Sequence, residues 1–421
     1  MLLILAGVSI SLLLDENGII KKSKDARREY GTSKTNEQEQ MDNANDWIEE
    51  ATAEPTPKVN VNTKAGENST INGKKGNSNN PTIPAGYIPI NTETSNWGNG
   101  KDAPSQDSVK HGLVIKDEQN NEWVWVPVPD VTVMCDTLNN TEYTLCGTTG
   151  ETAVKTKLYS KSGIISGKTR TTPGTSSGYR EPDLVAGSGS SYDAKDTYYK
   201  TILGDTGTKE QLAELFADEY KAMIESVSKY GGFYIGRYEL SGTVTEPTEK
   251  TGKTLTKTDW YNLYNACRSS KLQASDKVKT QMIWGCQWDV TMNWLISSGA
   301  KTSDEVNKDS STWGNYKNYN TANNYTEGTA GYEKNAGSLQ NTGSSENWKA
   351  NNIYDLAGNC YEWTQEANNT YYRAGRGGSY DSNGSYSPAS FRFYNDPDLS
   401  DYGYRRFSSH FNNKVTLDSR A

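Results

Sequence analysis

NIYDLAGNCYEWTQE (residues 352–366) and YYRAGRGGSYDSNGSYSPASFRFYNDPDLSDYGYRRFSSHF (residues 371–411) decide how this chain is read. The first places Asp355 and Glu362 around a tight Gly358-Asn359 turn, and then alternates Tyr361 and Trp363 on one side of a strand. Two carboxylates bracketing exposed turn carbonyls suit calcium, a hard cation that gathers several oxygen ligands in flexible geometry. The same spacing equally suits a turn capped by Asp355 with Glu362 bonding a backbone amide.

Working outward, residues 111–129 (HGLVIKDEQNNEWVWVPVP) predict a β-hairpin, two apolar-alternating runs around an Asn-Asn turn. Leu212, Leu215, Phe216, Met223, Ile224 and Val227 share one face of a helix, which Gly231-Gly232 stops before the strand FYIGRYEL. A second helix starts at Thr258-Asp259, with Trp260, Leu263, Tyr264 and Cys267 at helical spacing. A third carries Trp288, Met292 and Leu295 and ends at Ser-Ser-Gly299. Residues 301–349 are Asn-, Ser-, Gly- and Thr-rich and predict loop.

The 421 residues exceed the needs of one small domain. Only 33% are hydrophobic and the mean hydropathy is -0.83, so a large core must be concentrated in part of the chain. Trp (11) and Tyr (27) far outnumber Phe (6), the mark of a domain rich in amphipathic aromatics. A net charge of -8 argues against nucleic acid as a partner. With only His111 and His410, and five cysteines without a CxxC pair, a histidine triad or a zinc cluster is not expected. Cys135 with Cys146, or Cys267 with Cys286, could each close a loop.

Residues 1–14 (MLLILAGVSISLLL) are uncharged and apolar, shorter than the roughly 17–25 residues of a membrane span, and they end at a charged flank. They lack the basic start of a secretory signal. Residues 50–85 are polar and Pro/Gly-rich, and predict a disordered linker reaching on the order of 30–35 Å. Residues 131–200 predict an irregular insertion. The expected division is therefore a helix over 1–49, a linker over 50–85, a domain over 86–411 and a tail over 412–421.

Two resemblances add to this reading. LLILAGVSISLLLDENGIIKKSKDARRE resembles the N-terminal helix of prepilin-like proteins of Gram-positive bacteria. The ordered motifs GGFYIGRYEL, DWYNLYNACRSS, MIWGCQWDVTMNWL, NIYDLAGNCYEWT, RAGRGGSY and GYRRF are similar to the formylglycine-generating-enzyme (sulfatase-modifying factor) family, over roughly residues 232–411. That resemblance implies an α+β, C-type-lectin-like domain with much irregular structure. It also implies a calcium site in which Asp355 and Glu362 supply carboxylates while Leu356, Gly358 and Cys360 supply main-chain oxygens.

The family's oxidases bind copper through two cysteines in the segment after RGGS, and no cysteine follows Gly377 in this chain. The soft thiolates that copper(I) requires are missing there, so oxidase activity is not expected. The segment instead offers Tyr380, Asp381, Asn383, Tyr386, Phe393, Tyr394, Asn395, Asp396, Asp398 and Tyr402, a Tyr/Asn/Asp/Ser mixture suited to an adaptable binding face. It resembles the diversified tail of variable proteins of diversity-generating retroelements. Arg392 and Arg405 read as buried ion-pair partners, and Phe391 and Phe393 as core residues. The expected whole is a non-catalytic binding protein displayed at the cell surface, anchored to membrane or pilus, that takes an extracellular protein or glycan. An oxidase of the family and a structural minor pilin are the alternatives.

Overall fold

The computed structural model describes residues 56–90, 109–134, 142–145, 148, 150–157, 163–165, 168–170, 181–184, 198–368, 372–397, 411–412 and 415–419. The expected N-terminal helix over 1–49 lies outside the described residues, as do Cys135, Cys146, Asp398, Tyr402 and Arg405. No described helix is long and apolar enough to cross a membrane.

The strands that position the site are β1 (Ile88–Ile90), β2 (Val114–Lys116), β3 (Glu122–Pro127), β4 (Gly232–Gly236) and β5 (Val278–Met282). They are followed by β6 (Tyr361–Ala367), β7 (Arg373–Arg376), β8 (Phe393–Asn395), β9 (Phe411–Asn412) and β10 (Val415–Ser419). Three helices matter most: α1 (Lys209–Tyr230), α2 (Trp260–Cys267) and α3 (Gly285–Ser297). The architecture is mixed α+β. One sheet runs β1-β2-β3-β4-β10-β5 with antiparallel neighbours throughout. A second runs β8-β7-β6-β9, in which only the β6–β9 pair is parallel.

Both faces of the large sheet are covered, and strand alternation assigns the residues. Trp123, Trp125, Tyr234 and Leu417 join one apolar cluster with Trp260, Leu263 and Tyr264 of α2. Val124, Val126, Phe233 and Ile235 join the other, with Trp288, Met292 and Leu295 of α3. Helix α1 gives Leu212 and Phe216 to the first cluster and Met223, Ile224 and Val227 to the second. Its start is a capping box between Thr208 and Gln211, and Gly231 closes it in the left-handed region (φ 74°). Asp259 caps α2 by accepting from the Asn262 amide at 2.7 Å.

Two expected boundaries are corrected. Residues 56–85, read as linker, pack onto the domain: Val59, Ala65, Ile71 and Ile83 are buried in the first cluster. The polar side chains that suggested disorder instead close turns, Asn77 Oδ1 accepting from the Asn79 and Asn80 amides at 2.9 Å each. Trp125 Nε1 donates to Ser78 O at 3.0 Å and the Tyr234 hydroxyl to Thr82 O at 3.0 Å, which ties this segment to the large sheet. The expected tail over 412–421 contains β10, an interior strand of that sheet. Its short VTLDS run follows a polar stretch, and only the pairing with β4 and β5 reveals it as a strand.

The insertion over 131–200 contains two short hairpins, 142–144 with 155–157 and 163–165 with 168–170. Residues 181–184 of it are buried against the domain. Cys267 and Cys286 are buried and not joined by a disulfide, so the loop closure they could have made is not formed.

Candidate functional site

The turn preceding β6 is built from residues in left-handed backbone conformation, Asp355 (φ 58°), Gly358 (φ 73°) and Asn359 (φ 57°). Asp and Asn enter this region more readily than other non-glycine residues. The Asn359 end of the turn is held by Glu239, at the end of FYIGRYEL. Its carboxylate accepts from the Cys360 amide at 3.0 Å and from Asn359 Nδ2 at 2.5 Å. Asn359 Oδ1 accepts in turn from Asn315 Nδ2 at 2.9 Å and the Gln340 amide at 3.0 Å. Asp355 Oδ2 accepts from the Thr342 hydroxyl at 3.0 Å and the Gly343 amide at 2.9 Å. Through this oxygen Asp355 closes the 342–343 loop rather than its own turn.

Glu362 is fully buried and lies under Gly377. A Cβ at Gly377 would stand 2.3 Å from Glu362 Oε2 and 3.2 Å from the Leu356 carbonyl, so these two oxygens face the same small space. Their chemistry, one carboxylate and one carbonyl, fits a hard cation. Of the five expected calcium ligands, Leu356 and Glu362 converge, whereas Asp355 Oδ2 is directed to Thr342 and Gly343. Among the described residues no group of three His, Cys, Asp or Glu side chains is placed to hold a metal ion. Burial first, and then Glu239, Glu362 and Asp355 nearby, push the Cys360 thiol well above its ordinary range.

Beneath the expected binding segment lies a buried charge cluster. Arg376 reaches Asp289 at 2.7 Å and Glu366 at 3.4 Å. Arg392 reaches Glu366 at 2.9 Å and also pairs with Asp289. All four side chains are at most 2% exposed. Arg392 was expected as an ion-pair partner, and its acids are now identified. Glu181 joins from the insertion, accepting from the Cys286 amide at 3.0 Å near the start of α3, where the helix end favours an anion. Arg373 stacks over Trp260 at 4.3 Å and donates to the carbonyls of Gln365 and Asp183 at 2.7 and 2.9 Å. Burial pushes its pKa down to about 10, which leaves it charged at neutral pH.

The ten residues expected on the binding face separate into groups. Tyr386 and Tyr394 are 77% and 54% exposed, and Asp381 is exposed. Tyr380, Asn383 and Phe393 are half-buried. The Phe393 ring stacks on Tyr361 at 5.2 Å and packs against the core, and Phe391 also packs there. Tyr394 leans on Tyr372 at 5.5 Å. Asn395 and Asp396 are corrected: they are 4% and 2% exposed, Asn395 pairing with Arg373 at the end of β8 and Asp396 following it.

Sequence reasoning missed Glu239, Asp289, Glu366, Arg373 and Arg376. Acids and arginines within otherwise apolar runs such as CQWDVTMNW were the available signal, since buried charges need partners. Comparison with protein-family models, curated proteins and solved structures finds no match to this chain.

Proposed function

We propose that this chain is a non-catalytic binding protein of the formylglycine-generating-enzyme-like, C-type-lectin kind, displayed at a cell surface through its N-terminal segment. Asp381, Tyr386 and Tyr394 form the centre of its binding face. The observation that carries this reading is the exposure of Tyr386 and Tyr394, two large aromatics only eight positions apart. Exposed tyrosines give broad contact area at small entropic cost, which suits an extracellular protein or glycan partner. Asn395 and Asp396 support the face from below. Calcium belongs to the same proposal as a structural ion, held by Glu362 and the Leu356 carbonyl. The cysteine-free segment after Gly377 is the chemical reason for reading the chain as a binder rather than a copper oxidase.

The test is retrieval of a ligand by the full chain from an array of extracellular proteins and glycans. A stoichiometric copper site with turnover of a cysteine-containing peptide would overturn the reading in favour of an enzyme. Recovery in sheared pilus fractions without any ligand would overturn it in favour of a pilin.

A further inference from the structure

Arg376 and Arg392 bracket the loop 377–391, and they share the same two acids, Asp289 and Glu366. The ends of the loop are thus fixed to one buried point. Between them, the surrounding frame grips the loop by its main chain. Gly377 O accepts from the Gly358 amide at 2.8 Å, and the Tyr316 hydroxyl lies 2.7 Å from both Gly377 O and Ser387 O. The Tyr380 amide donates to Asn359 O at 3.0 Å, while Ser382 O and Gly384 O accept from the amides of Lys317 (3.0 Å) and Ser310 (3.2 Å). The Ala389 amide donates to Ser310 Oγ at 2.9 Å, Ala389 O accepts from Trp288 Nε1 at 3.0 Å, and the Ser390 amide donates to Val306 O at 3.1 Å. Every one of these loop atoms is a backbone atom, which any residue other than proline supplies.

At the tip, close approach is met by glycine: a Cβ at position 384 would stand 2.3 Å from the Ser311 amide nitrogen. Around it, Ser385 and Tyr386 are exposed and Asn383 is half-buried. The exposed side chains of Ser385 and Tyr386 therefore contribute little to the shape of the tip, which rests on the frame and on Asn383 O accepting from the Tyr386 and Ser387 amides at 3.0 and 3.1 Å. Below the tip, Ser387 Oγ and Ser382 Oγ lie 2.9 and 3.3 Å from the Tyr361 hydroxyl.

We propose that Tyr316 and Ser310 are the positioning residues of the binding face. With the arginine clamp they fix the loop's main chain and leave Asn383, Ser385 and Tyr386 to set which partner is chosen. The choice of partner rests on reading this loop as a binding face. The positioning role does not, because its test reads the backbone without any ligand.

The experiment is amide hydrogen exchange on the full chain, followed at Tyr380, Ala389 and Ser390, with the amides of α3 as internal reference. Tyr316→Phe and Ser310→Ala are each expected to speed exchange at the loop amides roughly tenfold, as loss of one hydrogen bond would, and to leave α3 unchanged. The triple variant Asn383→Ala, Ser385→Ala, Tyr386→Ala is expected to leave loop exchange within about twofold of the native chain. Tenfold faster exchange in the triple variant would overturn the proposal, as would unchanged loop exchange in both frame variants.

Discussion

Replacing Arg392 with methionine removes a fully buried guanidinium while keeping much of its aliphatic bulk. Arg392 pairs with Glu366 at 2.9 Å and with Asp289, and its removal would leave Arg376 as the arginine shared by both carboxylates. Each charge-assisted bond is worth about 1.5–3 kcal/mol, and stranding a buried charge costs about 3–5 kcal/mol. Arg392→Met should therefore destabilise the fold by about 3–5 kcal/mol, measured by urea unfolding followed by tryptophan fluorescence. The double variant Arg392→Met, Asp289→Leu removes one charge of each sign and keeps the Arg376–Glu366 pair. It should recover at least about 2 kcal/mol of the loss suffered by the single variant. A single-variant cost below about 1 kcal/mol, or a double variant no more stable than the sum of its parts, would show that the cluster is solvated and the reasoning wrong.

Four further outcomes follow from the same structure. Ending the chain at residue 412 removes β10 from between β4 and β5, and the truncated protein should fail to give a cooperative melt; a native-like melt would contradict the strand order. Starting it at residue 86 removes the buried side chains of Val59, Ile71 and Ile83, each worth about 1.5–3 kcal/mol, and should cost roughly 5 kcal/mol or more in urea. Cys360, buried and with its thiol pushed above its ordinary range, should stay unlabelled by iodoacetamide at pH 8 until the protein is unfolded, as read by peptide mapping. Chelation of calcium should lower the melting temperature of the native chain and leave that of Glu362→Gln unchanged; an identical native melt with and without chelator would remove calcium from the account.

Periodic elements were legible in the sequence. The face from Leu212 to Val227, the Asp259 cap and the alternation in EWVWVP each report a local physical constraint, and each forms the element expected of it. Residues 56–85 were not legible, because a strap held by turn-closing asparagines has the composition of a linker and differs only in what it packs against. The strand at 415–419 was missed for the same reason, since five residues become recognisable only when two partners flank them. At the site, the exposed positions Asp381, Tyr386 and Tyr394 followed from residue type. Asn395 and Asp396 did not, as their burial comes from tertiary packing that a Tyr/Asn/Asp-rich tail does not announce. Glu239 was hidden most completely: it reaches the Asn359 turn across 120 positions of chain.

Binding by the aromatic face is the claim on which the functional account stands, and Tyr386→Ala, Tyr394→Ala tests it most directly. The variant and the native chain are applied to the same array of extracellular proteins and glycans, and the melting temperature of each is recorded. The native chain should retain a ligand, the variant should lose it, and the two should melt together. A variant that keeps the ligand, or one that loses ligand and melting temperature alike, would contradict binding by this face.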